Sequence, residues 1–418
     1  MAKIALVCPP LPGHLNPMLS LGRTLQRRGH EVSFFHIPAI EASIRSHGLG
    51  FQPVGAVQSD ALAESIRKMA LMEGLGSLRF VVRCSCQVAE LLCEQLPVAF
   101  KRAQIDLVLA DQNEPAAATV AEHLGLPFVS VCPSLPLNRE PDIPPPFMPW
   151  PYRASAWGRA RNRIGYAFSD LLISSINRVI NRYRRGWKMQ PISQPDDTFS
   201  PLAQLCQLVR ELDFPRRELP ASFHYVGPFY EATETSVSFP FEQLNGKPLI
   251  YASLGTLQAR NSRHFHTIAE ACAGLDAQLV IATGGESGSL PQSLPGAPLV
   301  VRYAPQLEIL ARSSLTITHA GLNTVMQSLL FGVPMIALPI THDQPAIAAR
   351  VAGSGAGEVI PIKKLSAAAL REAVGRVLRA KSYRARAREL SESIKRAGGV
   401  ERAATIVEDV LARSVRPA

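Results

Sequence analysis

The stretch Thr318-His319-Ala320-Gly321-Leu322-Asn323-Thr324 decides how this chain is read. Before it, residues 315–318 form a short apolar, β-branched run. After it, apolar residues recur at helical spacing over 324–331. A strand that stops at a glycine and turns into a helix leaves free backbone N–H groups at the helix start. Together with the positive end of the helix dipole they make an anion site. His319 can donate to a phosphate, Gly321 permits close approach, and Asn323 and Thr324 can bind phosphate oxygens. A plain helix with Asn323 as its N-cap uses the same residues.

The pattern extends on both sides. Residues 299–303 and 334–338 read as further buried parallel strands, with a second helix over 346–351. Each run ends at unusual polar residues: Tyr303-Ala304-Pro305-Gln306 upstream, Thr341-His342-Asp343-Gln344 downstream. In an open α/β sheet the carboxyl edge is where ligands bind. An aromatic plane, an anion site and a carboxylate with an amide would give a base, phosphates and sugar hydroxyls one partner each.

The order Y-A-P-Q, T-H-A-G-L-N-T, G-V-P, H-D-Q, held over about 40 residues, resembles the donor-sugar signature of the UDP-glycosyltransferases of GT-B type. Thr318–Thr324 followed by Asp343-Gln344-Pro345-Ala346-Ile347-Ala348-Ala349-Arg350 is most similar to the bacterial zeaxanthin glucosyltransferases. Ser200-Pro201-Leu202-Ala203-Gln204 and Leu212-Asp213-Phe214-Pro215-Arg216 resemble the same group, as do the opening Gly13-His14 and the length. The resemblance implies an α/β fold of two facing Rossmann-like doubly wound domains. Residues 1–226 would bind the acceptor, 227–245 link, 246–399 bind the nucleotide sugar, and 400–418 return as a helix onto the first domain. Donor contacts would come from Ser253, Gly255, Thr256, Tyr303, Ala304, Gln306, His319, Gly321, Asn323, Thr324, Gln327, Asp343 and Gln344. Two positions depart from the family. Tyr303 stands where tryptophan often stacks on uracil, and Gln327 where plant members carry a glutamate for the ribose.

A chain of 418 residues exceeds one compact core, and two domains of roughly 200 are expected. With 47% hydrophobic and 19% charged residues it folds rather than staying disordered. No run reaches the roughly 18 apolar residues of a spanning helix. Met1–Cys8 reads as a strand, not a signal peptide, so the expected location is cytoplasmic. Seven cysteines are scattered, and Cys84 and Cys86 lack a second pair to complete a zinc site. Buried thiols are expected. Of the net charge of +10, residues 152–188 hold nine basic groups against Asp170, a local +8, so generic nucleic-acid binding is disfavoured.

In the first half, residues 3–8 read as a strand. The turn 9–14 follows, and Asn16 opens a helix ending near Arg28-Gly29. Residues 31–37 are a second strand, without the G-x-G-x-x-G of dinucleotide enzymes. Residues 59–96 read as helical with a break at 74–76, and 105–110 as a strand ending in Asp111. A helix over 114–124 and a strand over 127–131 follow. His14 and Asp111 both lie at strand ends. They could cap a helix and close a turn; the resemblance makes them the base for the acceptor hydroxyl and the carboxylate that orients it. Such a couple fixes the imidazole tautomer and contributes about 10²–10⁴-fold.

Residues 133–151 are proline-rich and irregular. Phe147, Trp150 and Trp157 are candidate acceptor contacts. In the basic segment, Ile164, Phe168, Leu171, Leu172, Ile176, Val179 and Tyr183 share one helical face. Such a helix suits an anionic membrane surface, placing the protein peripherally on the inner membrane, or simply packs on its own domain. Strands are expected over 202–208, 224–226, 248–252 and 278–282, a linker over 227–240, and arginine-rich helices over 382–395 and 400–411. The implied reaction is inverting transfer of glucose from UDP-glucose to a lipophilic alcohol, a carotenoid such as zeaxanthin. A soluble phenolic, macrolide or terpenoid acceptor, or non-catalytic nucleotide-sugar binding, are the alternatives. No D-x-D motif is present, so no metal or other cofactor is expected.

Overall fold

The computed structural model describes residues 1–55, 64, 74–230, 237–255, 262–284 and 293–414. The strands β1 (Lys3–Val7), β4 (Leu107–Asp111) and β5 (Phe128–Cys132) are almost wholly buried along their length. Burial on both faces requires helices on both sides of the sheet. The chain supplies them in alternation. α1 (Pro12–Arg27), β2 (Glu31–His36), α2 (Glu41–Ser46) and β3 (Gly50–Pro53) follow β1. α3 (Gly74–Ala103) precedes β4, and α4 (Pro115–His123) joins β4 to β5. Then come α5 (Ala156–Gly186), β6 (Gln204–Cys206) and β7 (Phe223–Tyr225). The seven strands are parallel in the order β3-β2-β1-β4-β5-β6-β7.

The second half repeats the plan. It runs β8 (Leu249–Ser253), α6 (Ser262–Cys272), β9 (Gln278–Ala282), β10 (Leu299–Val301), α7 (Gln306–Arg312), β11 (Ser313–Thr318), α8 (Leu322–Leu330), β12 (Met335–Ala337), α9 (Gln344–Ser354) and β13 (Gly357–Val359). Helices α10 (Ala367–Arg379), α11 (Lys381–Ala397) and α12 (Gly399–Ser414) close the chain. These six strands are also parallel, in the order β10-β9-β8-β11-β12-β13. In each sheet the first strand is central and the order reverses beside it, at β1/β4 and β8/β11. The expected pair of doubly wound Rossmann-like domains is therefore present.

The returning helix is present too. Val400, Ala403, Ala404, Val407, Val410 and Leu411 of α12 enter the first domain's core beside Ile4, Leu6, Leu15 and Met18. Arg28, the C-cap of α1, pairs with Glu408 at 2.8 Å. The two chain crossings touch each other, Gly399 N–H donating to the Val226 carbonyl at 2.6 Å. The domains also share an apolar seam, where Leu208, Val209 and Leu212 pack with Leu322, Met326, Ile347 and Val351.

Some expectations change. α1 starts at Pro12, not Asn16, because proline's fixed φ and missing N–H suit a first helical position. His14 thus rides on the first turn of a helix. The strand expected over 202–208 shrinks to three residues, and the one expected over 224–226 lies one residue earlier, at Phe223–Tyr225. α7 occupies a stretch to which the sequence assigned no element, since seven residues show no legible period. The expected helix over 59–73 lies outside the described residues, apart from Glu64, and the expected break at 74–76 falls inside α3. The apolar face of α5 divides. Ile176, Val179 and Tyr183 pack inward. In the first half the buried positions are Gly158, Asn162, Gly165 and Ser169. The proline-rich segment lies on that small-residue face, with Trp150 and Pro145 against Gly165. Ile164 and Leu171 are left 71% exposed, Phe168 44%. All seven cysteines are free, six of them buried. Among the described residues no helix is long and apolar enough to cross a membrane.

The α12 docking gives a stability test. A Val407→Asp substitution buries a carboxylate without a partner, a loss of about 3 kcal/mol or more. The melting temperature should fall by about 6–12 °C, measured by differential scanning calorimetry.

Candidate active site

Both switch points carry the polar residues singled out in the sequence. In the first domain, Asp111 closes β4 and His14 stands just after β1. The His14 Nδ1 and the Asp111 carboxylate are 2.7 Å apart. Asp111 is buried, and its other oxygen accepts from the Asn113 backbone N–H at 2.9 Å. Held this way, the imidazole carries its proton on Nδ1 and leaves Nε2 as the acceptor. Burial by itself would lower the pKa of His14. The Asp111 carboxylate, through charge and hydrogen bond, outweighs that, with Asp343 and Glu114 adding to it. The result lies above the ordinary 6.5.

Glu114 belongs to this cluster and was read only as a helix start. It is 6% exposed, and burial next to Asp111 pushes its carboxyl up to about 8. It is thus neutral at pH 7. The acidic residue three positions after Asp111 was the available signal. Cys8, at the end of β1, is likewise pushed up by burial and by these carboxylates, so it stays a thiol.

In the second domain His319 follows β11, half-buried with its ring against two glycines. A Cβ on Gly321 would lie 2.5 Å from its ring, and one on Gly255 2.8 Å. Both positions therefore need glycine for space, and Gly255 also has φ +78°. Burial lowers the pKa of His319 to about 4, so it is a neutral imidazole. Its Nδ1 is buried without a protein partner. Beside it Gly321 is the N-cap of α8, with no side-chain cap. The first N–H groups of this helix therefore have no intrahelical acceptor. Ser253 closes β8 next door, and Thr256 lies outside the described residues. Ala320 (φ 67°) and His342 (φ 56°) adopt left-handed backbone, a strain of about 1–2 kcal/mol each. Such strain gathers where a ligand is held.

Asn323 does not cap α8. Its amide donates across to the Gly13 carbonyl at 3.3 Å, and its oxygen accepts from Gln207 at 3.2 Å. The tip that carries His14 and the tip that carries His319 are thereby in contact. Thr324 is buried in the same turn. Asp343 is the N-cap of α9, and its carboxylate is close enough to act on His14. The Gln344 carbonyl oxygen accepts from the Ile340 and Thr341 N–H groups at 2.9 Å each, so only its NH₂ remains to face a ligand. The hydroxyl of Tyr251 donates to Gln306 at 3.2 Å, and the Gln306 amide in turn donates to Gln327. The side chain of Gln306 is occupied this way, and Gln327 keeps its own NH₂. Tyr303 is 50% exposed beside Ala304, its ring open for stacking.

The aromatic candidates are placed elsewhere. The Arg161 guanidinium lies over Trp150 at 4.9 Å and Trp157 at 5.6 Å, and Trp157 is 62% exposed. Phe147 is half-buried in the proline-rich segment. Among the described residues, no hydrogen bond or ring contact joins any of the three to His14 or Asp111. A cavity of about 1340 Å³ opens at the opposite end of α8, against Phe331 and Arg388, and shares no residue with this edge.

Comparison with known proteins agrees with this arrangement. The family model described as UDP-glucoronosyl and UDP-glucosyl transferase matches residues 30–402. A zeaxanthin glucosyltransferase of Pantoea ananas is 37% identical, over 98% of this chain and 96% of its own. Another, of Pseudescherichia vulneris, is 34% identical over 99% of both chains. In fold the chain is similar to the calicheamicin glycosyltransferase CalG4, with a TM-score of 0.75 at 20% identity over 100% of both chains.

The dyad gives a pH test. For the role as base expected of His14 the imidazole must be neutral, so kcat/KM should fall as pH drops through its raised pKa. In Asp111→Asn, burial is no longer opposed by that carboxylate. The acid limb should move to lower pH while the plateau falls by about 10²-fold or more. A pH–rate profile of both proteins measures the two effects.

Proposed function

This chain belongs to the UDP-glucoronosyl and UDP-glucosyl transferase family, and from that premise we propose that it moves glucose from UDP-glucose to a hydroxyl of a lipophilic acceptor, a carotenoid such as zeaxanthin. That it is a UDP-sugar glycosyltransferase follows from the family. The finer reading draws on the full-length likeness to two zeaxanthin glucosyltransferases. The observation that carries the chemistry is the contact between the two switch-point tips, base on one and anion site on the other.

In this reading His14 Nε2 takes the acceptor's hydroxyl proton, and Asp111 stabilises the imidazolium that forms. The acceptor oxygen then bonds to the anomeric carbon. The bond from that carbon to the phosphate oxygen breaks, and its electron pair leaves with UDP. Attack and departure on opposite faces invert the centre. The developing diphosphate charge meets the α8 N-terminus, neutral His319 and the residues around Ser253, Gly255 and Thr256. Asp343 and Gln344 hold sugar hydroxyls, Tyr303 stacks on the base, and Gln327 meets the ribose. No step in this sequence calls on a metal.

The lipophilic acceptor gives the exposed face of α5 a use. Trp157, Ile164, Phe168 and Leu171 form an apolar stripe. Arg159, Arg182 and Arg184 are paired with Asp142, Glu90 and Glu122. Among the described residues, Arg153, Arg161, Arg163 and Arg178 have no carboxylate partner. An anionic bilayer surface suits that combination, and peripheral contact would place the enzyme at the source of a membrane-dissolved alcohol.

A UDP-release assay with UDP-glucose should show turnover with zeaxanthin, unaffected by a metal chelator. Turnover only with soluble phenolic, macrolide or terpenoid alcohols would replace the acceptor assignment. On anionic vesicles the protein should float, and a Trp157→Ser, Ile164→Ser, Phe168→Ser, Leu171→Ser variant should not.

A further inference from the structure

The segment Leu212–Arg216, singled out in the sequence and unused by the chemistry above, forms a buried ionic knot with the second domain. Asp213 is 8% exposed, and its side chain is wholly buried. One oxygen accepts from Arg350 Nε at 2.8 Å and from the Phe214 N–H at 2.8 Å. The other accepts from Arg216 Nε at 2.8 Å and from the Tyr225 hydroxyl at 2.8 Å. Arg216 donates on to the Asn138 and Pro136 carbonyls at 2.7 and 3.3 Å. Four of these partners, Phe214, Arg216, Tyr225 and the 136–138 loop, are in the first domain. Arg350 alone comes from the second.

Arg350 is 2% exposed and lies on α9, two turns beyond Asp343 and Gln344. Its guanidinium stacks on Phe214 at 4.3 Å. Its Nη1 donates to the Ala346 carbonyl at 3.2 Å, within the same helix. The helix that ends on the sugar is thus clamped, at its middle, to the domain that carries His14. A buried ion pair gains little net stability over an apolar replacement. What it supplies is a fixed geometry, since a guanidinium–carboxylate contact tolerates little displacement.

We propose that Asp213 and Arg350 are positioning residues that set α9, and with it the sugar-holding Asp343 and Gln344, at the register His14 requires. This rests on the glycosyl-transfer reading above. The titratable groups that face His14 are Asp111 and Glu114 from the first domain and His342 and Asp343 from the second. Only the second pair moves with α9.

The test is Arg350→Met, which keeps the stem and leaves the Asp213–Arg216–Tyr225 contacts in place. The expected result is a kcat lowered by about 10²-fold, the effect of roughly 1 Å misplacement. KM for UDP-glucose should rise, while Kd for UDP alone, held at the β8, β11 and α8 tips, stays as it was. The acid limb of kcat/KM should move to lower pH as the field of Asp343 at His14 weakens. Arg350→Lys should restore part of each change. A variant with a lower melting temperature but wild-type limb, KM and kcat per active site would overturn the proposal and leave the knot purely structural. Should Arg350→Met not be recovered folded, Asp213→Asn carries the same readouts and the same two outcomes. Wild-type turnover in the same assay separates failure here from failure of the glycosyl-transfer reading.

Discussion

Everything at the active site depends on two sheets presenting their carboxyl edges to each other. A doubly wound sheet has one natural ligand position, the switch point beside its central strand. Here β1/β4 and β8/β11 place those positions face to face, and the amide of Asn323 reaches the carbonyl of Gly13 across the join. That single bond is worth only about 1 kcal/mol. The apolar seam between residues 208–212 and helices α8 and α9 supplies the adhesion. The polar contacts fix the alignment.

Two histidines have opposite affinities for a proton because their surroundings differ. His14 faces carboxylates, which overcome burial and raise its affinity for a proton. His319 sits between glycines without a carboxylate partner, and burial lowers its pKa to about 4. In the proposed reaction one imidazole takes up a proton and the other stays neutral beside the diphosphate. The same separation of roles by environment recurs in other acid–base enzymes.

Most sheet strands, α8, α9 and the helix α12 were legible in the sequence, because runs buried on both faces and glycine-punctuated strand ends leave a pattern in composition; the short edge strands β3 and β13 were not read, and the return of α12 onto the first domain came from the family resemblance. His14 and Asp111 were legible as strand-end polar residues, and the family resemblance gave them roles. The start of α1 was misplaced because the proline run looked like a turn, although proline at a first helical position is favourable. The outward turn of Ile164, Phe168 and Leu171 was hidden. Helical spacing assigns them to a face, but the packing of Trp150 and Pro145 on Gly165 decides which face is covered. Asn323 was offered as a cap, yet its partner, Gly13, is 310 residues away. Contacts of that span have no local signature. The joining of Asp213 to Arg350, 137 residues apart, was invisible for the same reason.

The crossing at Gly399 has a consequence for how the protein is made. The first sheet is complete at Tyr225, but α12 begins only at Gly399. At ~5–20 residues per second, a ribosome takes on the order of ten to thirty seconds to deliver the missing piece. Throughout that interval the apolar groove on α1 is uncovered, a natural client surface for a chaperone. The nascent chain cannot seal its N-terminal half until residues 399–414 have been translated.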